Sequence, residues 1–161
     1  MANVQINAAI VTVSDSRTIE TDSSGAALAE LLVSFGAEIV ERLIVTDDFD
    51  PLRQTLYSLT EREDINLIVT TGGTGFAERD NTPEATRAVI LKEAPGIAEM
   101  MRAETAKINP KAILSRGVCG IRNGTLIVNT PGSERGVREC FEVIRPILQH
   151  AVNLVSGETK H

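Results

Sequence analysis

The stretch TGGTGFAERDNTPE, residues 71–84, combines a glycine turn, acidic residues and the start of a helix. Its glycines, Gly72, Gly73 and Gly75, allow positive φ angles and can leave consecutive N–H groups free for an anion. A helix that begins at Pro83 would add N–H donors and a partial positive charge beside that turn. We therefore expect a phosphate-binding turn.

Two carboxylates flank this turn. Asp80 and Glu84 would repel a bare phosphate, so a shared Mg²⁺ best explains them. Asp80 could instead cap the helix, but Thr82, directly before Pro83, already takes the capping position. The turn lacks the GKS/T ending of Walker A and the GxGxxG pattern of dinucleotide sites, so alone it is a weak signal.

Other polar segments offer further candidate ligands. The segment VTDDFDP, residues 45–51, contains Asp47. It either supplies a second carboxylate for the same cation or is a solvated acidic turn. Serine–threonine turns and a helix cap would explain much of VSDSRTIETDSSG, residues 13–25, but that segment also offers polar groups to a ligand. The candidate ligands in residues 13–25 are Ser14 and Asp15. The turn at 115–117 adds Ser115 and Arg116, and the segment NTPGSERG, residues 129–136, adds Pro131, Gly132 and Ser133.

The elements that must position these residues alternate along the chain. Short apolar, β-branched runs predict strands over 7–13, 38–45, 66–71, 118–122 and 125–129, the last two joined by an Asn123-Gly124 hairpin turn. Amphipathic spacing and caps predict helices over 24–35, from Pro51 (capped by Asp50) to about 63, over 83–92, after Pro95-Gly96 and after Ser133.

This order predicts a three-layer, doubly wound α/β fold, with a mainly parallel sheet, one antiparallel strand and helices on both faces. We treat residues 1–161 as one domain. Ligands of such folds bind at the carboxyl ends of the strands. The loops after Val13, Val45, Thr71 and Asn129 should therefore lie together.

Composition excludes several classes of function. The net charge of −6 and the aromatic content of 3% argue against binding to nucleic acid or anionic membranes. The N-terminus shows no signal or membrane segment, so we expect a cytoplasmic protein. Cys119 and Cys140 lack metal-binding spacing and are interpreted as reduced core thiols.

Taken together, the motifs resemble the Mog/MoaB family of molybdenum cofactor biosynthesis. The resemblance rests on VSDS, DSSG, VTDD, TTGGTGFAERDNTPEAT, SRGVCGI and NTPGS, which follow one another in the family's order from about Ile10 to the last helix. It implies a molybdopterin adenylyltransferase, which joins the AMP part of MgATP to the terminal phosphate of molybdopterin and releases pyrophosphate. It also implies a homo-oligomer, either a trimer or a hexamer.

The resemblance assigns roles to individual residues. Asp47 and Asp80 match the family's two essential acidic positions, and residues 72–75 match its phosphate-binding turn. Phe76 and Asn81 depart from the residues that are commoner in the family. Some MoaB-type members keep the fold without detectable adenylylation, so the alternative is a non-catalytic molybdopterin-binding or scaffold protein.

Overall fold

The computed structural model describes residues 2–157, which form a six-stranded sheet between two layers of helices. The strand order is β2-β1-β3-β6-β5-β4, and β5 alone runs in the direction opposite to the other five strands. This confirms the predicted mainly parallel sheet with one antiparallel strand. The strands are β1 Asn7–Val13, β2 Glu38–Val45, β3 Leu67–Thr71, β4 Lys92–Glu93, β5 Cys119–Arg122 and β6 Thr125–Thr130.

Helices cover both faces of the sheet. They are α1 Ser23–Phe35, α2 Phe49–Thr60, α3 Thr82–Arg87, α4 Pro95–Ala106 and α5 Glu134–Val155, with a short 3₁₀ helix at Pro110–Leu114. Helices α1, α4 and α5 pack on one face and α2 and α3 on the other. Within residues 2–157, no helix combines the length and apolar character needed to cross a membrane.

The alternation of β1 residues explains the two apolar cores. Ala8 and Ile10 point into the core under α1 and α5, whereas Ala9 and Val11 point into the core under α2 and α3. All four side chains are fully buried. A strand covered on both faces reads as a continuous apolar run, which is the pattern that the sequence shows.

Strand register brings four loops to one edge of the sheet, which we call the carboxyl edge. Val13 lies beside Val45, Thr12 beside Thr71, and Thr71 beside Thr130. The segments that follow β1, β2, β3 and β6 therefore begin at the same level. The predicted clustering of these loops is confirmed.

The predicted helix over 83–92 is wrong at its C-terminal end, because α3 stops at Arg87. The chain then joins the sheet, with the N–H of Leu91 donating to Ile121 O at 2.9 Å. Ile90 packs over Gly120, where even a β-carbon would come within 2.5 Å of the isoleucine Cδ1. This contact with a glycine some 30 residues away overrides the local helical pattern.

Two local predictions had different outcomes. Helix α2 begins at Phe49 with Asp48 in the N-cap position, so the prediction that Asp50 caps it is wrong. The Asn123-Gly124 turn is confirmed, with φ of +48° and +76° between paired strands.

The two cysteines lie in the core and are free. Burial raises the pKa of each thiol to about 12. At neutral pH both thiols are protonated, as expected of core residues and not of nucleophiles.

A buried carboxylate joins the start of α1 to the sheet. Asp22 Oδ2 accepts from Thr12 Oγ1 at 2.7 Å and from Arg42 at 3.1 Å, and Oδ1 accepts from the Gly25 N–H at 3.0 Å. Burial raises the Asp22 pKa, but the hydrogen bonds from Thr12 and Gly25 and the Arg42 charge outweigh it, so the pKa lies below its usual value. Asp22 is therefore an ionised N-cap that holds the first loop against β1 and β2.

We expect Asp22→Ala to lower the free energy of unfolding by about 2–4 kcal/mol, because it removes a helix cap and leaves Arg42 without its partner. Urea denaturation measures the loss. Glu99→Ala, on the exposed surface of α4, is the control and should change stability by no more than about 0.5 kcal/mol. Equal stability of the two variants would contradict this role of Asp22.

Candidate functional site at the carboxyl edge

The glycine turn follows β3 and requires glycine at two positions. Gly72 and Gly73 have φ of +99° and +68°, and a β-carbon on Gly72 would lie 2.5 Å from the carbonyl oxygen of Val13. A side chain at Gly72 would therefore strain the backbone and collide with β1. The sequence prediction of a turn with positive φ is confirmed at these two residues.

Thr82 attaches helix α3 to this turn. Its hydroxyl donates to Gly72 O at 2.8 Å, and its N–H donates to Gly73 O at 3.1 Å. Thr82 is the first residue of α3, and Asn81 takes the N-cap position without a capping side-chain bond. The predicted capping role of Thr82 is thus wrong. Its contacts instead fix the distance between turn and helix.

The turn presents backbone donors. Within residues 2–157, no protein oxygen accepts from the N–H groups of Gly73, Thr74 and Gly75, whereas the Gly72 N–H donates to Thr130 O. Three consecutive amides without a protein acceptor are suited to an oxyanion. The run of available donors therefore starts at Gly73, one residue later than the glycine pattern suggested.

Arg116 supports the turn from outside. Its guanidinium donates to Gly75 O and to Asp80 O, each at 2.8 Å, and pairs with the carboxylate of Glu84. Arg116 and Glu84 thus pair with each other and hold residues 75–84 in shape, and their role toward a ligand stays a prediction.

Asp80 lies against the glycine turn. Its Oδ2 accepts from the Ala77 N–H at 2.9 Å, which closes the short turn before α3. A β-carbon on Gly75 would lie 2.8 Å from the same oxygen. The carboxylate is thus beside the free amides, as the sequence predicted, and Gly75 makes the room for it.

Asp47 lies in the loop after β2, which contacts the segment that contains Asp80. Its N–H donates to Asp15 Oδ1 at 3.1 Å, and its carbonyl oxygen accepts from Asn81 Nδ2 at 3.0 Å. Partial burial is the largest cause of the raised Asp47 pKa, and repulsion by Asp15 and Asp80 adds to it, against the lowering effect of Arg79. Asp47 and Asp80, 33 positions apart, therefore interact electrostatically.

Arg79 is the cation of this acidic group. It donates to Asp15 from Nε at 2.8 Å and from Nη2 at 3.0 Å, and lies 3.3 Å from Asp48. These hydrogen bonds are the main reason that the Asp15 pKa lies below its usual value. Asp15 is therefore a partner of Arg79 in this structure, more than a free ligand.

The carboxylates alone do not form a metal site. Among residues 2–157, no group of three or more His, Cys, Asp or Glu side chains is arranged to hold a metal ion. Mg²⁺ is commonly held by one or two carboxylates together with substrate phosphates. The pair Asp47 and Asp80 beside free amides fits that second mode.

A cleft of about 410 Å³ opens on the other side of the glycine turn. Predicted residues Thr74, Gly75, Ser115, Pro131 and Ser133 line it, together with Phe76, Met101, Arg102, Lys111 and Asn129. Ser14, Asp15, Asp47, Asp80, Thr82, Glu84, Arg116, Gly72, Gly73 and Gly132 do not line it. Thr74 and Gly75 form the boundary between the cleft and the acidic group.

The first and last loops of the carboxyl edge close around the turn. Arg17 donates to Gly132 O at 3.0 Å and to Ser24 Oγ at 2.8 Å. The Oγ of Ser14 accepts from the Arg17 N–H at 3.1 Å, so Ser14 shapes this loop. A β-carbon on Gly132 would approach Gly72 Cα to 3.2 Å, which shows how closely the two glycine turns pack.

Sequence reasoning missed three residues of the site. Arg79 and Asn81 are the sequence neighbours of Asp80 in residues 71–84, and only this proximity to Asp80 could have indicated them. Arg102 lies within an amphipathic helix and carries no motif. Each acts through a partner that is distant in sequence.

We expect Arg79→Gln to raise the pKa of Asp47, because the substitution removes the positive charge that lowers it and leaves Asp15 unneutralised. Carboxyl-carbon NMR titration of the two proteins measures this shift. Arg87→Gln is the control, since Arg87 pairs with Glu93 away from the acidic group. An unchanged or lower Asp47 pKa in Arg79→Gln would show that Arg79 does not govern this group.

Comparison with known proteins matches the whole site region. The family described as "Probable molybdopterin binding domain" matches residues 9–150. A Helicobacter pylori protein named molybdopterin adenylyltransferase is 41% identical over 156 residues, which cover 94% of this chain and 89% of that protein. The Drosophila melanogaster molybdenum cofactor synthesis protein cinnamon is 44% identical over 152 residues, and the match covers 92% of this chain but only 25% of the fly protein.

A solved structure agrees with these matches. The molybdopterin biosynthesis enzyme MoaB from Thermus thermophilus superimposes with a TM-score of 0.88 at 42% identity, covering 95% of this chain and 98% of the other. The fold and the sequence thus point the same way. This chain therefore belongs to the Mog/MoaB family of molybdopterin-binding proteins.

Proposed function

We propose that this protein is a molybdopterin adenylyltransferase of molybdenum cofactor biosynthesis. An oxygen of the terminal phosphate of molybdopterin forms a bond to the α-phosphorus of ATP. The bond from that phosphorus to the bridging oxygen of the β-phosphate breaks, and pyrophosphate leaves. The products are adenylated molybdopterin and pyrophosphate.

One observation carries this proposal. The Asp80 carboxylate lies against the glycine turn, where three backbone amides have no protein acceptor among residues 2–157, and Asp47, 33 positions away in the sequence, lies within electrostatic range of Asp80 and is joined to the neighbouring Asn81 by a hydrogen bond. Both reactants carry phosphate, so their approach depends on screening and alignment of negative charge more than on acid–base chemistry. The name of the Helicobacter pylori relative, at 41% identity, supports the same activity.

The chain's own groups divide the work. The N–H groups of Gly73, Thr74 and Gly75 bind phosphate oxygens and hold them in line. The cleft on the other side of Thr74 receives the body of molybdopterin, since its volume of about 410 Å³ lies within the range of small-molecule sites. The acidic side of the turn then receives the triphosphate of ATP.

Mg²⁺ fits the acidic side. Asp47 and Asp80 would hold it together with the ATP phosphates, and it would neutralise charge on the departing pyrophosphate. Partial burial, followed by repulsion from Asp15 and Asp80, raises the pKa of Asp47, so a cation bound there would favour the ionised carboxylate.

We further propose a homo-oligomer, a trimer or hexamer, that works in the cytoplasm. Large apolar side chains of Ile108, Ile113 and Leu114 are at least half exposed. They lie in and beside the segment that forms one wall of the cleft. Contact between subunits would cover this apolar surface.

We expect Asp47→Asn and Asp80→Asn each to reduce pyrophosphate release by about a hundredfold or more, because each removes a charge that holds the cation and substrate in place. The assay contains MgATP and molybdopterin, and thermal melting confirms that each variant folds. Asp50→Asn is the control: its carboxylate lies in the first turn of α2, three residues after Asp47, is 76% exposed and should be dispensable.

The same assay separates the enzyme from the non-catalytic alternative. A scaffold protein would bind molybdopterin and release no pyrophosphate, and neither substitution would change its behaviour. Normal turnover by both variants would exclude the proposed role of the two carboxylates.

We expect Gly75→Ala to lower turnover by about tenfold to a hundredfold with little change in melting temperature, because misplacing a reacting group by about 1 Å can cost this much. The new methyl group would displace the Asp80 carboxylate, whereas Gly75 has no positive φ to strain. Gly96→Ala is the matched control, since nothing lies within 4 Å of its β-carbon position. Equal turnover of the two variants would show that the Asp80 position is not critical.

A further inference from the structure

Arg102 differs from every other arginine of this acidic protein. Eleven of the twelve arginines have a carboxylate within 4.0 Å: Arg17, Arg42, Arg53, Arg62, Arg79, Arg87, Arg116, Arg122, Arg135, Arg138 and Arg145. Arg102 has none among the side chains of residues 2–157. A net charge of −6 supplies more carboxylates than cations, so this exception needs a physical reason.

The surroundings of Arg102 make its unpaired charge costly. It is half-buried on α4 and lines the cleft beside Ala98 and Met101. Its Nη1 donates to Gly117 O at 2.8 Å and to Ser115 O at 3.4 Å, both uncharged acceptors. The carboxylate of Glu139 also lines the cleft, but it pairs with Arg135 and not with Arg102. A partly desolvated cation in a small-molecule cleft favours an anionic ligand there.

A single peptide unit connects Arg102 to the glycine turn. The carbonyl oxygen of Ser115 lies 3.4 Å from Arg102 Nη1, and the next N–H, that of Arg116, donates to Thr74 O at 2.9 Å. Arg102 therefore stands on the cleft side of the turn, opposite the acidic group of Asp15, Asp47 and Asp80. Lys111, another cleft residue without a carboxylate within 4.0 Å among the described residues, adds to the positive potential.

We propose that Arg102 binds the phosphate monoester of molybdopterin and so holds the attacking group at the cleft side of the glycine turn. This inference rests on the proposed adenylyl transfer. The donors of a guanidinium are held in a rigid plane that matches the oxygens of a phosphate. Because Nη1 donates to the backbone at Gly117, Nε and Nη2 are the two nitrogens available to a ligand. The ATP triphosphate, the other source of phosphate, belongs to the side that carries Asp47 and Asp80.

The test compares Arg102→Met and Arg102→Lys with the wild type. Methionine keeps much of the length and the apolar contact of the side chain without its charge. Lysine restores the charge without the paired N–H donors of the guanidinium. Arg122→Met is the matched control, because Arg122 also donates to a backbone carbonyl, that of Val89, but outside the cleft. Quenching of pterin fluorescence measures equilibrium binding of molybdopterin and of its dephosphorylated form, without ATP.

We expect Arg102→Met to bind molybdopterin about 10- to 100-fold more weakly than the wild type, since a hydrogen bond to a charged group is lost. The dephosphorylated form should bind both proteins equally, and Arg102→Lys should recover part of the loss. In turnover, the KM for molybdopterin should rise while the KM for MgATP stays constant. Arg122→Met should behave as the wild type.

Other results would overturn the proposal. An equal loss for both forms of the pterin would show that Arg102 only shapes the wall through Ser115 and Gly117. A raised KM for MgATP alone would assign the arginine to the triphosphate. If the wild type transfers no AMP, the proposed function fails, yet the binding measurement still reports whether Arg102 recognises the phosphate.

Discussion

The parallel alignment of β1, β2, β3 and β6 is the constraint on which the whole site depends. Each strand ends at the same level, so polar segments from four distant parts of the chain start together at the carboxyl edge. Apolar burial on both faces fixes this register, because a slip by one residue would exchange the two cores. The core thereby positions residues that contribute nothing to it.

Most positive charge at this edge is used to hold loops. Arg116 joins the glycine turn to the start of α3, Arg79 joins the first loop to the second, and Arg17 joins the first loop to the last. Three backbone amides of the glycine turn, by contrast, have no protein acceptor among residues 2–157, and such groups can bind an anion without net charge or loss of side-chain entropy. An acidic protein can thus present a phosphate site without a basic surface.

The sequence predicted the parts of the structure that depend on local pattern. Alternation of apolar strands with amphipathic helices was sufficient for the fold, and the glycines were sufficient for the positive φ of Gly72 and Gly73. The errors concern residues whose partners are distant. Thr82 looked like a cap, but its hydroxyl donates to the carbonyl oxygen of Gly72. Likewise, no local pattern shows that the Arg116 side chain binds residues more than 30 positions away. The helix after Thr82 ends early because Ile90 packs on Gly120.

The electrostatics of the two sides of the turn explain why both are needed. Asp47 is partly buried and repelled by Asp15 and Asp80, so its side of the turn is more stable when a cation is present. On the cleft side, Glu139 pairs with Arg135, which leaves Arg102 with no carboxylate within 4.0 Å among the described residues, so an anion would be stabilised there. This division of charge suits a transfer between two anionic phosphates, because one side carries clustered carboxylates and the other an arginine without a carboxylate partner. Thr74 and Gly75 line the cleft and Gly75 also lies against Asp80, so the glycine turn is the part of the site that both environments share.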